Sequence, residues 1–240
     1  MDDLLQPGYR SGTHVQRVDT VANTLFPRAL YRTPGFRWAP ELPVEQATAH
    51  DEAAANLYDA YDAMLPMLRT VPVNMRGTYF GRMIDWPTRK NGERTNQLMD
   101  RIEVLRRARR SRHSRSNIAD IAIAGDAEGE PLTDDPAAGL QVFAATDKRI
   151  YSFPCLVHVD LSVHGGKLHL LAVYRHWYVI TKGYGNLLGL SDLLTFLCDQ
   201  TGYPLGELVV VAGMADTEPK TYGGRRGIND LVVKAKAVSA

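Results

Sequence analysis

The turn His164-Gly165-Gly166-Lys167 constrains the fold of this chain more than any other stretch. Two consecutive glycines accept the positive φ that a tight hairpin needs. Before the turn, Cys155, Val157, Val159, Leu161 and Val163 alternate with Leu156, His158, Asp160 and Ser162, the pattern of a half-buried strand. After it, Leu168 to Tyr174 is a second, more continuously apolar strand, which places Arg175 just beyond a strand end. A Gly183-Tyr184-Gly185 loop follows, and Asn186 opens an amphipathic run, Leu187, Leu190, Leu194 and Leu197, at helical spacing. The pattern predicts that a thiol, a guanidinium and a helix-capping amide are each brought to an element end.

These residues carry a family resemblance. Pro154-Cys155 resembles the Pro-Cys nucleophile of thymidylate synthases, Gly166-Lys167-Leu168 the strand turn, and Tyr174-Arg175 the Tyr-Gln-Arg-Ser region. Asn186 stands where that family has its base-reading asparagine, and the register from Cys155 to Asn186 holds without a gap. The resemblance spans about residues 76 to 220 and implies an α/β (α+β) thymidylate synthase-like fold, a mixed sheet flanked by helices. It further implies one-carbon transfer to C5 of a pyrimidine nucleotide 5′-monophosphate from 5,10-methylenetetrahydrofolate as co-substrate, in a homodimer. Cys155 would be the nucleophile, Arg175 a phosphate ligand and Asn186 the reader of the base. An amide offers both a donor and an acceptor, which suits uracil better than cytosine.

Further matches extend the site. Arg10-Ser11-Gly12-Thr13 resembles the family's phosphate loop, and Arg115 in Ser114-Arg115-Ser116-Asn117-Ile118 matches the first of two arginines that cross to the partner's substrate phosphate. Ser116 replaces the second, for which Arg112 is a candidate substitute. Arg76 to Trp86 resembles the Tyr-Gly-x-Gln-Trp-Arg-x-Trp stretch, so Trp86 is the expected folate contact and Ile84 falls near the first tryptophan's place. Two departures stand out. The glutamate that organises proton transfer in the family has no clear counterpart, Glu52 being the one candidate. In Asp216-Thr217-Glu218-Pro219-Lys220, Glu218 and Lys220 replace the histidine and tyrosine that hold the sugar hydroxyl. The absence of the first tryptophan and the altered sugar contacts favour water capture, and a hydroxymethyl product, over a methyl product, in modified-nucleotide or nucleoside-antibiotic biosynthesis. The competing reading is a nucleotide-binding homologue without turnover.

Each residue also has a plainer reading. A strand cysteine is usually a small buried hydrophobe, which is how Cys198 is read, whereas activation of Cys155 needs positive potential nearby. Arg175 suits a structural ion pair as well as a phosphate, and Asn186 suits a helix N-cap as well as a base. His158, His164, His169 and His176 cluster around the hairpin, but no convergent carboxylate or second cysteine completes a metal set, so no metal is expected.

The rest of the chain bounds the answer. With 240 residues, 45% hydrophobic and 23% charged, it is read as one domain, residues 1–50 forming an extended segment over the core. A net charge of +1 gives no global pull towards nucleic acid or membrane. No signal-peptide or spanning segment is evident and two cysteines make no disulfide framework, which reads as cytoplasmic. Residues 51–70 are expected as a helix with Ala53, Leu57, Tyr61, Met64 and Leu68 inward, and a second helix buries Leu98, Ile102 and Leu105. The arginines of that second helix, Arg101 to Arg110, are read as a solvated face rather than a nucleic-acid surface, since no aromatics interleave to stack bases. Gly125 to Ala138 is an expected surface loop, Leu208 to Ala212 a strand, and residues 223–240 a mobile loop and a short closing strand.

Overall fold

A computed structural model of the chain describes residues 17–71, 74, 77–87, 94–111, 140–141 and 154–238. The fold is mixed α and β. A four-stranded sheet runs in the order β3 (Leu140–Gln141), β4 (Leu156–His164), β5 (Lys167–Tyr174), β7 (Leu205–Ala212). β4 and β5 form the antiparallel hairpin, with Gly165 and Gly166 both at positive φ, 57° and 74°. β7 joins β5 in parallel, which needs a crossover, and α5 (Tyr184–Thr201) makes it. A short parallel pair, β6 (Trp177–Tyr178) with β8 (Ala215–Asp216), extends beyond the same strand ends.

The strand alternation holds from Val159 onwards and slips before it. Leu156 pairs with Tyr174 and His158 with Val173, so Val157 is an extra residue in a bulge. The slip gives the core position to Leu156, which is 0% exposed, and leaves Cys155 in a bend just ahead of the strand rather than on it. The core face of the sheet then carries Leu156, Val159, Leu161, Leu168, Leu170 and Ala172, packed under the helices. Burying one such leucine contributes about 1.5–3 kcal/mol.

The helices differ from expectation in three places. Residues 17–50 are not extended: α1 (Val18–Leu25) packs its Val21, Ala22 and Leu25 inward and a 3₁₀ turn follows at Arg28–Leu30. α2 (Val44–Leu68) starts well before Asp51, so Asp51 lies inside the helix, and Leu65 rather than Met64 completes its buried stripe with Ala53, Ala54, Leu57 and Tyr61. Residues 224–238 form a helix, α6 (Gly224–Val238), rather than a loop and strand; Ile228, Leu231, Val232 and Ala235 follow helical spacing after two glycines at positive φ. None of the α6 side chains from Gly224 to Ala237 is buried. α3 (Tyr79–Ile84) is capped by Thr78, whose Oγ1 accepts the Gly81 amide at 3.1 Å. It leads to the small ribbon β1 (Trp86–Pro87) and β2 (Arg94–Thr95). In α4 (Gln97–Ser111), Leu98, Ile102 and Leu105 are buried as expected.

The arginine run of α4 is a solvated face only in part, with Arg107 and Arg110 exposed. Arg101 and Arg106 are buried, 3% and 7% exposed. Arg106 donates to the Gln200 carbonyl at 2.7 Å, to Gln200 Oε1 at 2.9 Å and to Asp51 at 2.5 Å, while its guanidinium and that of Arg110 lie 5.1 and 5.2 Å from the Trp38 ring. Arg109 lies over Tyr203. The α4 charges fasten the amino-terminal segment to the end of α5. Among the described residues, no helix is long and apolar enough to cross a membrane.

Candidate functional site

The carboxyl end of β5 meets the start of β4 at Pro154-Cys155. The Arg175 amide donates to the Cys155 carbonyl at 2.9 Å, and Arg175 Nε donates to the Pro154 carbonyl at 3.2 Å. Main chain and side chain of one residue therefore hold the segment that carries the thiol. Cys155 is half-buried and unpaired, and Arg175 is exposed.

Two phenols converge on Cys155, and the sequence reading missed both. Tyr79, at the start of α3, accepts the Leu156 amide at 3.5 Å. Burial pushes its hydroxyl up to about 12, the Cys155 charge adds to that, and the Leu156 and Cys155 amides oppose it. Tyr174, the last residue of β5, is 1% exposed and its hydroxyl has no hydrogen-bond partner among the described residues. Burial first, then Tyr79 and Cys155, hold it well above the usual tyrosine value. Burial therefore holds both phenols in the neutral form. Tyr79 lies within the Arg76 to Trp86 stretch, but only the tertiary approach of α3 to β4 brings it to Leu156. The Tyr174 ring stacks on Trp177, with centroids 5.8 Å apart.

Asn186 is buried, 4% exposed, but it does not cap a helix. A π-turn, Val179–Gly183, leads straight into α5, so Gly183 and Gly185 are helical and Asn186 is the third residue of that helix. Gly185 and Gly189 are glycines for another reason. A Cβ on Gly185 would lie 2.7 Å from Val21 Cβ, and one on Gly189 would lie 2.5 Å from the Ala22 carbonyl oxygen. α1 thus lies directly on α5. The inner stripe of α5 is Leu190, Leu193, Leu194 and Leu197, and Leu187 is 39% exposed.

The loop after β7 closes round the π-turn. Gly213 N–H donates to the Tyr174 carbonyl and Trp177 N–H to the Met214 carbonyl, both at 2.8 Å. Glu218 adopts φ 54°, a conformation that a non-glycine residue rarely takes, and its carboxylate accepts the Thr181 amide at 3.1 Å and the Thr181 hydroxyl at 2.7 Å. Glu218 N–H in turn donates to Asp216 Oδ1 at 2.7 Å. Glu218 is therefore part of the wall, and Lys220 is exposed.

Of the predicted residues, Cys155 and Arg175 are brought together, whereas Asn186 follows them along the chain, beyond β6 and the π-turn, as a buried residue of α5. Trp86 is half-buried on the separate β1–β2 ribbon, where Arg94 pairs with Asp85. Ile84, expected near a tryptophan's place, belongs to the core at 9% exposed, and Glu52 is exposed on α2. Arg10, Arg112 and Arg115 lie outside the described residues. His158 is buried on the sheet face opposite Tyr174, and the two nitrogens of His169 meet the His164 carbonyl and the Glu207 amide. Compared with protein-family models and with curated proteins, the chain has no match.

Proposed function

We propose that this protein is a thymidylate synthase-like enzyme that transfers one carbon to C5 of a pyrimidine nucleotide 5′-monophosphate, uracil preferred. The observation that carries the reading is the double hold of Arg175 on Pro154-Cys155, with two neutral phenols beside the thiol. A carbonyl-conjugated ring is a weak carbon nucleophile until a thiolate adds to its C6, when the electron pair moves to C5 and the adjoining carbonyl oxygen. Cys155 is the group for that addition, and Arg175 would neutralise both the developing thiolate and the substrate phosphate. Tyr79 and Tyr174 would donate to the sulfur or to an oxygen beside it. Asn186, already enclosed by protein, would read the base edge at little ordering cost.

The one-carbon unit would come from 5,10-methylenetetrahydrofolate, a co-substrate that supplies an electrophilic carbon. The half-buried Trp86 offers an aromatic face for it. The displaced family residues favour water as the final acceptor and a hydroxymethyl product. Both cysteines are free thiols, in keeping with a cytoplasmic setting. Homodimerisation is supported by β7, where Val209 and Val211 share the sheet face turned away from the helices and are 47% and 50% exposed.

The test is release of C5 tritium from UMP, dUMP, CMP and dCMP with the folate donor, with products weighed by mass spectrometry. Release from one nucleotide, lost by about 10⁴-fold or more in Cys155→Ser, is the expected result. Silence across the panel with nucleotide binding intact would sink the enzyme and leave a binding protein.

A further inference from the structure

Transfer to C5 requires the C5 proton to leave, and none of the groups so far described is suited to take it. Tyr79 and Tyr174 are buried phenols held protonated, Glu218 is committed to Thr181, and His158 lies on the far face of the sheet. Glu52 is exposed on α2.

His176 is placed differently. It follows Arg175, whose amide is bonded to the Cys155 carbonyl, so its Cα lies about 3.8 Å from the Arg175 Cα. Its Nε2 faces Asp216 Oδ2 at 3.4 Å, an ion-pair separation too long for a good hydrogen bond, and both side chains are about a third exposed or less, 30% and 27%. Nε2 itself is buried and makes no hydrogen bond among the described residues, where the Asp216 carboxylate is the polar group that it faces. The imidazole lies against the Tyr178 ring, with centroids 4.6 Å apart. Asp216 is in turn fixed from behind by the Glu218 amide, in the turn that holds Glu218 at φ 54°. A partly exposed imidazole thus faces a carboxylate that is itself held by main chain, the pair of groups from which an oriented base is built. A one-turn π-helix and a strained residue in the same 40-residue stretch, roughly, are features that collect at functional sites.

We infer that His176, positioned by Asp216, accepts the C5 proton of the substrate ring; the inference rests on the reading given under Proposed function. With Cys155 bonded to C6 and the incoming carbon bonded to C5, the C5–H bond breaks. Its electron pair restores the enolate between C5 and the adjoining carbonyl, and the proton goes to the imidazole, giving an imidazolium facing Asp216. Without the one-carbon donor the same pair of residues exchanges the C5 hydrogen with solvent: the thiolate adds, C5 takes a deuteron from water, the imidazole removes the original proton, and the thiolate leaves.

The experiment uses the full chain and three readouts: C5 tritium release with the donor, C5 hydrogen–deuterium exchange in D₂O without it, and the covalent adduct on Cys155 formed by a 5-fluoropyrimidine nucleotide with the donor, detected by intact mass. A C5 fluorine cannot be removed as a proton, so adduct formation reports fold, binding and the thiol alone. His176→Gln is expected to lose about 100-fold or more in release and exchange, the scale of general-base catalysis, with adduct yield and nucleotide KM unchanged. Asp216→Asn is expected to lose about tenfold in kcat with KM unchanged. Wild-type release in His176→Gln would overturn the inference, as would loss of the adduct along with turnover, which would make His176 a binding or structural residue. A wild-type protein with no release and no adduct would instead overturn the functional reading itself.

Discussion

His50 is 0% exposed and neither ring nitrogen has a hydrogen-bond partner among the described residues. Burial lowers its pKa below the ordinary 6.5, so below that pH the unfolded chain takes up the proton first and stability is lost as pH falls. His158 is lowered by burial in the same way. Asp160 has the opposite sign: burial raises it above 3.8, so its contribution favours the fold at low pH and fades as pH rises through its folded value. Urea midpoints measured between pH 7.5 and 5.5 should therefore fall with acidification, and His50→Phe should flatten that slope; an unchanged slope would show that His50 takes up its proton as readily in the folded chain as in the unfolded one. Arg106 and Asp51 separate two magnitudes. Asp51 is 64% exposed, so Asp51→Asn should cost under about 1 kcal/mol, as surface pairs do. Arg106→Met strands the carbonyl and Oε1 of Gln200, both buried acceptors, and should cost about 2–4 kcal/mol by chemical denaturation. Equal costs for the two variants would mean that the exposed pair carries the stability.

At the scale of elements, the contact of α1 with α5 is set by backbone proximity rather than by side-chain size. Gly189→Ala gains about 1 kcal/mol of helix propensity but thrusts a methyl at the Ala22 carbonyl, and the net loss should be about 1–3 kcal/mol, read from the shift in urea midpoint. The exposed Gly165→Ala has open space and pays only for its positive φ, about 1 kcal/mol. A Gly189→Ala protein as stable as the parent would mean that α1 is free to lift away. What the sequence discloses divides along the same line of local against distant. The hairpin was legible because Gly165-Gly166 and the alternation beside it are local signals, and so were the buried stripes of α4 and most of α2. The bulge at Val157 was not, since a one-residue slip leaves the composition of the strand untouched while exchanging Leu156 for Cys155 in the core. α6 was passed over because its two leading glycines read as loop while the stripe that follows is helical. In the candidate site, Cys155 and Arg175 could be read from the chain because one just precedes and the other just follows the two strands of a single hairpin. Tyr79, His176 and Asp216 could not, because each acquires its meaning from a partner that is distant along the chain.

For the whole molecule, the proposed homodimer makes a direct demand on the outer sheet face. Val209→Glu combined with Val211→Glu should leave the monomer folded, since both side chains are already half exposed, and should halve the mass seen by sedimentation. An undisturbed dimer would place the interface elsewhere, and a monomeric parent would remove it. A different consequence follows from the way the chain's beginning is fastened to its end. Tyr31 and Gln200 are hydrogen-bonded across 169 positions, and Val21, Leu25 and Phe26 find their neighbours in α5. On a ribosome adding about 5–20 residues each second, α1 leaves the exit tunnel roughly 10–35 seconds before its packing surface has been made. Through that interval the apolar stripe of α1 lacks the α5 surface on which it finally packs, so the contact between these two helices can form only late in synthesis.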